Sequence, residues 1–191
     1  DYAEKTKELL KHTLNYGAAA QNYFDINTED AANKGYEIEY TAQFPAEYPQ
    51  TVKNGQIDGI AYYGASLLIK EKITLRYYFV ADSLEGVTFT ANGAVCKTGQ
   101  KNGMFYVDVP GINPHQYSES VLLCAVKREQ RLEVSYSPLY YMARMSQTTD
   151  SEPLKKLLSA MYGYHEAAVI YVGDSSATVS VSDAANGTVR T

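Results

Sequence analysis

The hydrophobic period of this chain changes twice, and that constrains its fold more than anything else. Leu9-Leu10-Lys11-His12-Thr13-Leu14-Asn15-Tyr16-Gly17-Ala18-Ala19-Ala20-Gln21-Asn22-Tyr23-Phe24 has helical spacing. From Tyr36 to Tyr136 the period is two, and after Ser137 it returns to helix. The two helical ends also resemble each other. At one constant offset, Leu9, Leu10, Tyr16, Ala19, Ala20 and Tyr23 fall on Leu157, Leu158, Tyr164, Ala167, Ala168 and Tyr171. These features predict an α+β protein: an antiparallel β-sandwich, immunoglobulin-like or related, bracketed by N- and C-terminal helices.

Four segments follow. Residues 1–35 form an N-terminal helical segment and 36–136 an antiparallel β-domain. Residues 137–173 form a C-terminal helical pair packing with the N-terminal helix. Residues 174–191 are a linker or the first strand of a following module, because Val179 to Asn186-Gly187 alternates into a turn signal. With 191 residues the chain buries roughly 70% of its unfolded surface, enough for a core without metals or disulfides.

The first helix is expected from Tyr2 to Phe24. Leu10, Leu14, Gly17 and Phe24 share one face, with Ala3 and Ala20 beside it. Gly17 there implies close approach of another backbone. Asn27 or Thr28 caps a short second helix that Lys34-Gly35 stops. Strands follow at Glu37–Ala42, Ile60–Ile69, Ile73–Val80, Val87–Thr90, Ala94–Lys97, Met104–Val109, Val121–Val126 and Leu132–Tyr136. Pro45 to Asn54-Gly55 reads as a loop. Asn92-Gly93 marks a type I′ hairpin, and Asn113–Gln116 a single helical turn. Ser137-Pro138 and Ser151-Glu152-Pro153 restart helices, the second with Leu154, Leu157, Leu158, Met161, His165 and Ala168 on one face.

The net charge of −5 argues against nucleic acid and anionic membranes as partners. The basic clusters, Lys70–Lys72 and Lys127–Arg131, carry Glu and sit at expected turns. No apolar run is long enough for a membrane span, so no membrane insertion is expected. No signal peptide is visible; abundant Tyr, absent Trp and two Cys favour a piece excised from a longer extracellular or cell-wall-attached precursor.

Leu14-Asn15-Tyr16-Gly17-Ala18-Ala19-Ala20-Gln21-Asn22-Tyr23-Phe24, with Asn27-Thr28 and Ala31-Ala32-Asn33, resembles a module common in large secreted and surface proteins of gut anaerobic bacteria. Tyr63–Leu68 with Ile73–Phe79, and Ala160-Met161-Tyr162 with Tyr164 and Ala167-Ala168, extend the resemblance over roughly residues 1–172. The resemblance implies an extracellular setting, a modular parent and neighbouring modules of the same chain as partners. It implies no catalytic residues.

The candidate chemistry is sparse. Val169–Gly173-Asp174-Ser175 resembles the nucleophile block of Gly-Asp-Ser esterases. That block opens its fold, however, and no His follows Ser175 here. A helix end with a linker is the better reading, and no enzyme is expected. His12, His115 and His165 have no zinc-type spacing and read as surface or partly packed. Asp25–Asp30 resembles a calcium loop but lacks its Gly and its closing Glu, so it reads as a cap. No metal or cofactor is expected. Cys96 and Cys124 lie on strands, either as a disulfide or, as the reading favoured here, as two buried thiols. Tyr16, Tyr23, Tyr162, Tyr164 and Tyr171 are expected at a helix–sheet boundary. In the pairs Tyr62-Tyr63 and Tyr77-Tyr78 one member must face outward, offering a ring to a sugar. The expected function is a non-catalytic extracellular module of a larger bacterial surface or secreted protein, in an adhesion or spacer role. The alternative is a carbohydrate-binding module using those tyrosines on a polysaccharide or host glycan. A hydrolase is the distant third.

Overall fold

The computed structural model describes residues 1–27, 43–70 and 72–186, with side chains to Gly173. The expected strand at Glu37–Ala42, the short second helix and the domain boundary at 35/36 lie outside the described residues. Two units are distinguished: residues 1–44 with 114–116 and 145–191, and residues 45–113 with 117–144.

Among the described residues the β-unit holds nine strands: β1 Val52–Gln56, β2 Ile60–Leu68, β3 Thr74–Ala81, β4 Thr88–Ala91, β5 Ala94–Val95, β6 Thr98–Lys101, β7 Met104–Pro110, β8 Val121–Lys127 and β9 Gln130–Tyr136. They form two antiparallel sheets, β1-β9-β8-β4-β5 and β2-β3-β7-β6, in a sandwich-like arrangement. Alternation along β3 shows why. Leu75, Tyr77 and Phe79 are fully buried, while Arg76, Tyr78 and Val80 point the other way. Val107 and Val109 stand beside Tyr77 and Leu75 on β7. In the other sheet Phe89, Leu123, Ala125, Leu132 and Val134 are buried as well. Phe79 lies 5.1 Å from Phe89, and the Tyr77 hydroxyl donates to the Val121 carbonyl at 2.8 Å. Each such apolar side chain contributes about 1.5–3 kcal/mol of burial.

Two turns have type I′ chemistry, the first as expected. Asn92 and Gly93 both have positive φ, as a type I′ hairpin requires. Asn102-Gly103 does the same between β6 and β7. That second signal makes Thr98–Lys101 a strand, which the sequence reading passed over. The loop expected through Asn54-Gly55 is also corrected: these residues lie inside β1, paired along β9. Gly55 has φ 69°, and a Cβ there would collide with the Arg131 carbonyl oxygen. It serves close strand approach rather than a turn.

In the helical unit, α1 runs Tyr2–Phe24 with Asp1 as N-cap and left-handed Asp25 as C-cap. α2 is Pro138–Thr148, capped by Ser137 Oγ, which accepts from the Tyr140 N–H at 3.1 Å. Residues 138–144 of α2 belong to the β-unit. α3 is Glu152–Asn186, with Ser151 Oγ accepting from the Leu154 N–H at 3.3 Å.

α1 packs antiparallel on α3. Tyr2 and Tyr171 share a hydrogen bond of 2.7 Å at one end, and Ala19 and Asn22 line a cleft with Glu152, Pro153 and Lys156 at the other. Between them Tyr16 and Tyr164 stack at 5.8 Å. Tyr16, Tyr164 and Tyr171 thus join helix to helix. The buried face of α1 is Asn15, Ala18 and Ala19, whereas Leu10, Leu14 and Phe24 are exposed. Beyond the adjoining backbone of α1 itself, no atom of the described residues lies within 4 Å of a Cβ built on Gly17, so the close contact expected there is absent among them. α3 also continues through Gly173 to Asn186, so residues 174–186 are helix in place of the linker or strand expected from 174 on, and the rest of that segment lies outside the described residues. A helical Gly costs about 1 kcal/mol, and no Pro follows Pro153 to force a stop.

Candidate functional site

The outward face of β2-β3-β7-β6 gathers the most polar and aromatic chemistry of the β-unit. Register places Arg76 between Ser66 and Asp108, and Tyr78 between Gly64 and Tyr106. Gly99 on β6 stands beside Tyr106. Arg76 donates twice to Asp108, Nε to Oδ1 at 2.6 Å and Nη2 to Oδ2 at 2.7 Å. This charge-assisted fork holds the guanidinium protonated far above its already high range. The Arg76 side chain is 11% exposed, and its Cζ sits 3.7 Å over the Tyr106 ring centroid. The far end of that ring fills the space that a Cβ of Gly99 would take. The Ser66 hydroxyl donates to Tyr78 Oη at 3.2 Å.

Beside this face, where the chain crosses from β5 to β6, an open cleft of about 620 Å³ is lined by Val95, Cys96, Lys97, Tyr106, Asp108 and Pro110, among others. β6 pairs with β7 only as far as Val107, so Asp108 to Pro110 remain uncovered on that side. The cleft and the polar face share Tyr106 and Asp108. Burial pushes the Cys96 thiol up, keeping it neutral.

The four tyrosines chosen from sequence do not assemble into one platform. Tyr77 is fully buried. Tyr62 turns the same way, edge-on to Phe79 at 5.9 Å, and burial, then Tyr140, push its hydroxyl up to about 12 against the opposing Arg144. Tyr78 faces outward but is engaged by Ser66. Tyr63 is the extra residue at a bulge in β2 and is 70% exposed. Sequence reasoning missed Arg76, Asp108 and Tyr106. The Asn102-Gly103 hairpin and the alternation of Met104–Val109 carry the signal for Tyr106 and Asp108, and the alternation of Ile73–Val80 that for Arg76.

Cys96 and Cys124 are free thiols. Cys124 lies beside Thr90 on one side of β4, and the Cys96 N–H donates to the Phe89 carbonyl on the other. Two strand spacings, roughly 9–10 Å, separate them, and a disulfide needs its Cα atoms within about 7 Å. The bridge considered from sequence is therefore excluded by geometry. His165 is buried rather than superficial, and its Nδ1–H donates to the Pro114 carbonyl at 2.7 Å. Among the described residues no three His, Cys, Asp or Glu converge as metal ligands, and no helix is long and apolar enough to cross a membrane.

No protein-family model, curated protein or solved structure matches this chain.

Proposed function

We propose that the chain is a non-catalytic extracellular module of a larger bacterial surface or secreted protein, in an adhesion or spacer role. What supports the non-catalytic part of this reading is the direction in which the fold moves the ionisable groups that it shifts. Arg76, Arg131 and Lys155 are pushed up, and Glu152 is pushed down. The Cys96 thiol and the hydroxyls of Tyr16, Tyr62, Tyr77 and Tyr136 are pushed up. Each shift deepens the state the group already holds at neutral pH. General acids, bases and nucleophiles need the opposite, a pKa drawn toward 7. The outward face follows the same logic, with its ion pair and rings satisfying one another.

The immunoglobulin-like assignment of the β-unit is supported by strand order. β2-β3-β7-β6 corresponds to ABED, and β5-β4-β8-β9 to C′CFG, with β1 added beyond the last strand. β3 and β8 hold the places of the two strands that antibody domains join by a disulfide. Tyr77 reaches from β3 to Val121 of β8 instead.

A second reading, sugar binding, is favoured by the exposed Tyr63 ring and by the cleft beside Tyr106 and Asp108. A glycan array, run with a panel of ester and glycoside substrates, separates the readings. The adhesion or spacer module gives no turnover. Glycan binding that Tyr63→Ala or Tyr106→Ala abolishes establishes the sugar site, and turnover of any substrate refutes the non-catalytic reading.

A further inference from the structure

We infer that the exposed seam of α1 is the docking surface for a second unit of the same kind, whose closing helix α1 would be. The inference rests on the modular reading above.

The helix pair has an internal symmetry. Residues equivalent by sequence, Tyr16 and Tyr164, meet ring to ring across two antiparallel helices. Ala19 and its equivalent Ala167 are both buried. α1 and α3 thus use corresponding faces toward each other, related by an approximate twofold axis, as in an isologous contact.

That symmetry breaks on the neighbouring face. In α3 it carries Leu158, Tyr162 and His165, all buried. His165 is held by the Pro114 carbonyl of the Pro114–Gln116 3-10 turn, and Tyr162 packs on Phe44 at 5.0 Å. The same offset puts Leu10, Leu14 and Gly17 at these places in α1. Leu10 is 59% and Leu14 46% exposed, and the space over Gly17 is open. The seam borders the α1–α3 contact, so it continues an interface that already exists. α3 shows what fits it: a turn like Pro114–Gln116, from a unit whose own closing position is filled by α1. Two units would then be related by the axis between Tyr16 and Tyr164.

The test extends the chain by joining a second copy of residues 43–151, which includes Phe44, ahead of Glu4, the residue equivalent to Glu152. Leu10→Glu with Leu14→Glu is then placed in both the 191-residue chain and the extended chain. Denaturant unfolding and limited proteolysis are followed in each. The double substitution should leave the 191-residue chain unchanged. In the extended chain it should raise the unfolded fraction of the added copy about tenfold or more and expose that copy to protease. Leu14→Tyr with Gly17→His, which rebuilds the α3 face, should keep the added copy protected. Equal losses in both chains overturn the inference, as does an added copy that is digested while the native seam is intact. A dimer of the 191-residue chain that Leu14→Glu dissolves also overturns it, because a second α1 would then fill the seam. None of these readouts concerns turnover or glycans, so the proposed function stands or falls separately.

Discussion

Tyr16 of α1 and Tyr164 of α3 stack at 5.8 Å with their ring planes 17° apart, and each is the other's counterpart in the internal repeat. Burial first, and Tyr164 second, push the Tyr16 hydroxyl up. A double-mutant cycle of Tyr16→Leu and Tyr164→Leu should therefore show a coupling of about 0.5–1.5 kcal/mol. Chemical denaturation measures it, and strictly additive losses would mean that the two rings sit side by side without supporting each other.

Gly17 is a helical glycine with open space above it. Gly17→Ala should stabilise the 191-residue chain by about 1 kcal/mol, through backbone entropy alone. A thermal melt that shifts downward would show that a neighbour occupies the position after all.

The β-unit should be alkali-sensitive for a definable reason. Unfolded tyrosines ionise near pH 10, whereas Tyr62 holds its proton to about 12, and burial pushes Tyr77 and Tyr136 higher still. Above pH about 10 the unfolded chain therefore binds fewer protons than the folded one, and stability falls as pH rises. The contribution is present in full below that point. Tyr62→Phe should make the decline between pH 10 and 12 shallower, read from denaturant midpoints. Tyr77→Phe should do the same and also lose about 1 kcal/mol at neutral pH with its bond to Val121.

Gly99 gives its space to the Tyr106 ring. Gly99→Ala should cost about 1–3 kcal/mol by overpacking. With Tyr106→Ala already present the same change should cost nothing further. If the cost persists, the backbone of β6 rather than the ring sets it.

The sequence made the sandwich legible wherever alternation ran long enough to set a phase. Tyr77-Tyr78 is such a place: one ring points in and one out, as the period of two requires. β1 was hidden because Asn54-Gly55 is a turn signal in form, and only the Arg131 carbonyl beside it reveals the strand. β6 was hidden by its length and by Gly99, whose missing side chain makes sense only with Tyr106 in place. In α1 the face expected to pack, Leu10, Leu14, Gly17 and Phe24, is the exposed one, and Asn15, Ala18 and Ala19 are buried in its place. Periodicity reports which residues align, and Asn15, buried while Leu10 is exposed, shows that it does not report what they meet. The candidate site was less legible still, because a bulge at Tyr63 and a cross-strand ion pair depend on register.

Thr90 and its strand stand between Cys124 and Cys96. The route to the native state of the β-unit therefore contains no oxidation step, and its folding yield should be the same in dithiothreitol as in air. The two sulfurs are also separately addressable. A reporter group on Cys96 would sit in the cleft and sense what enters it, while Cys124, buried on β8 on the far side of β4, stays silent.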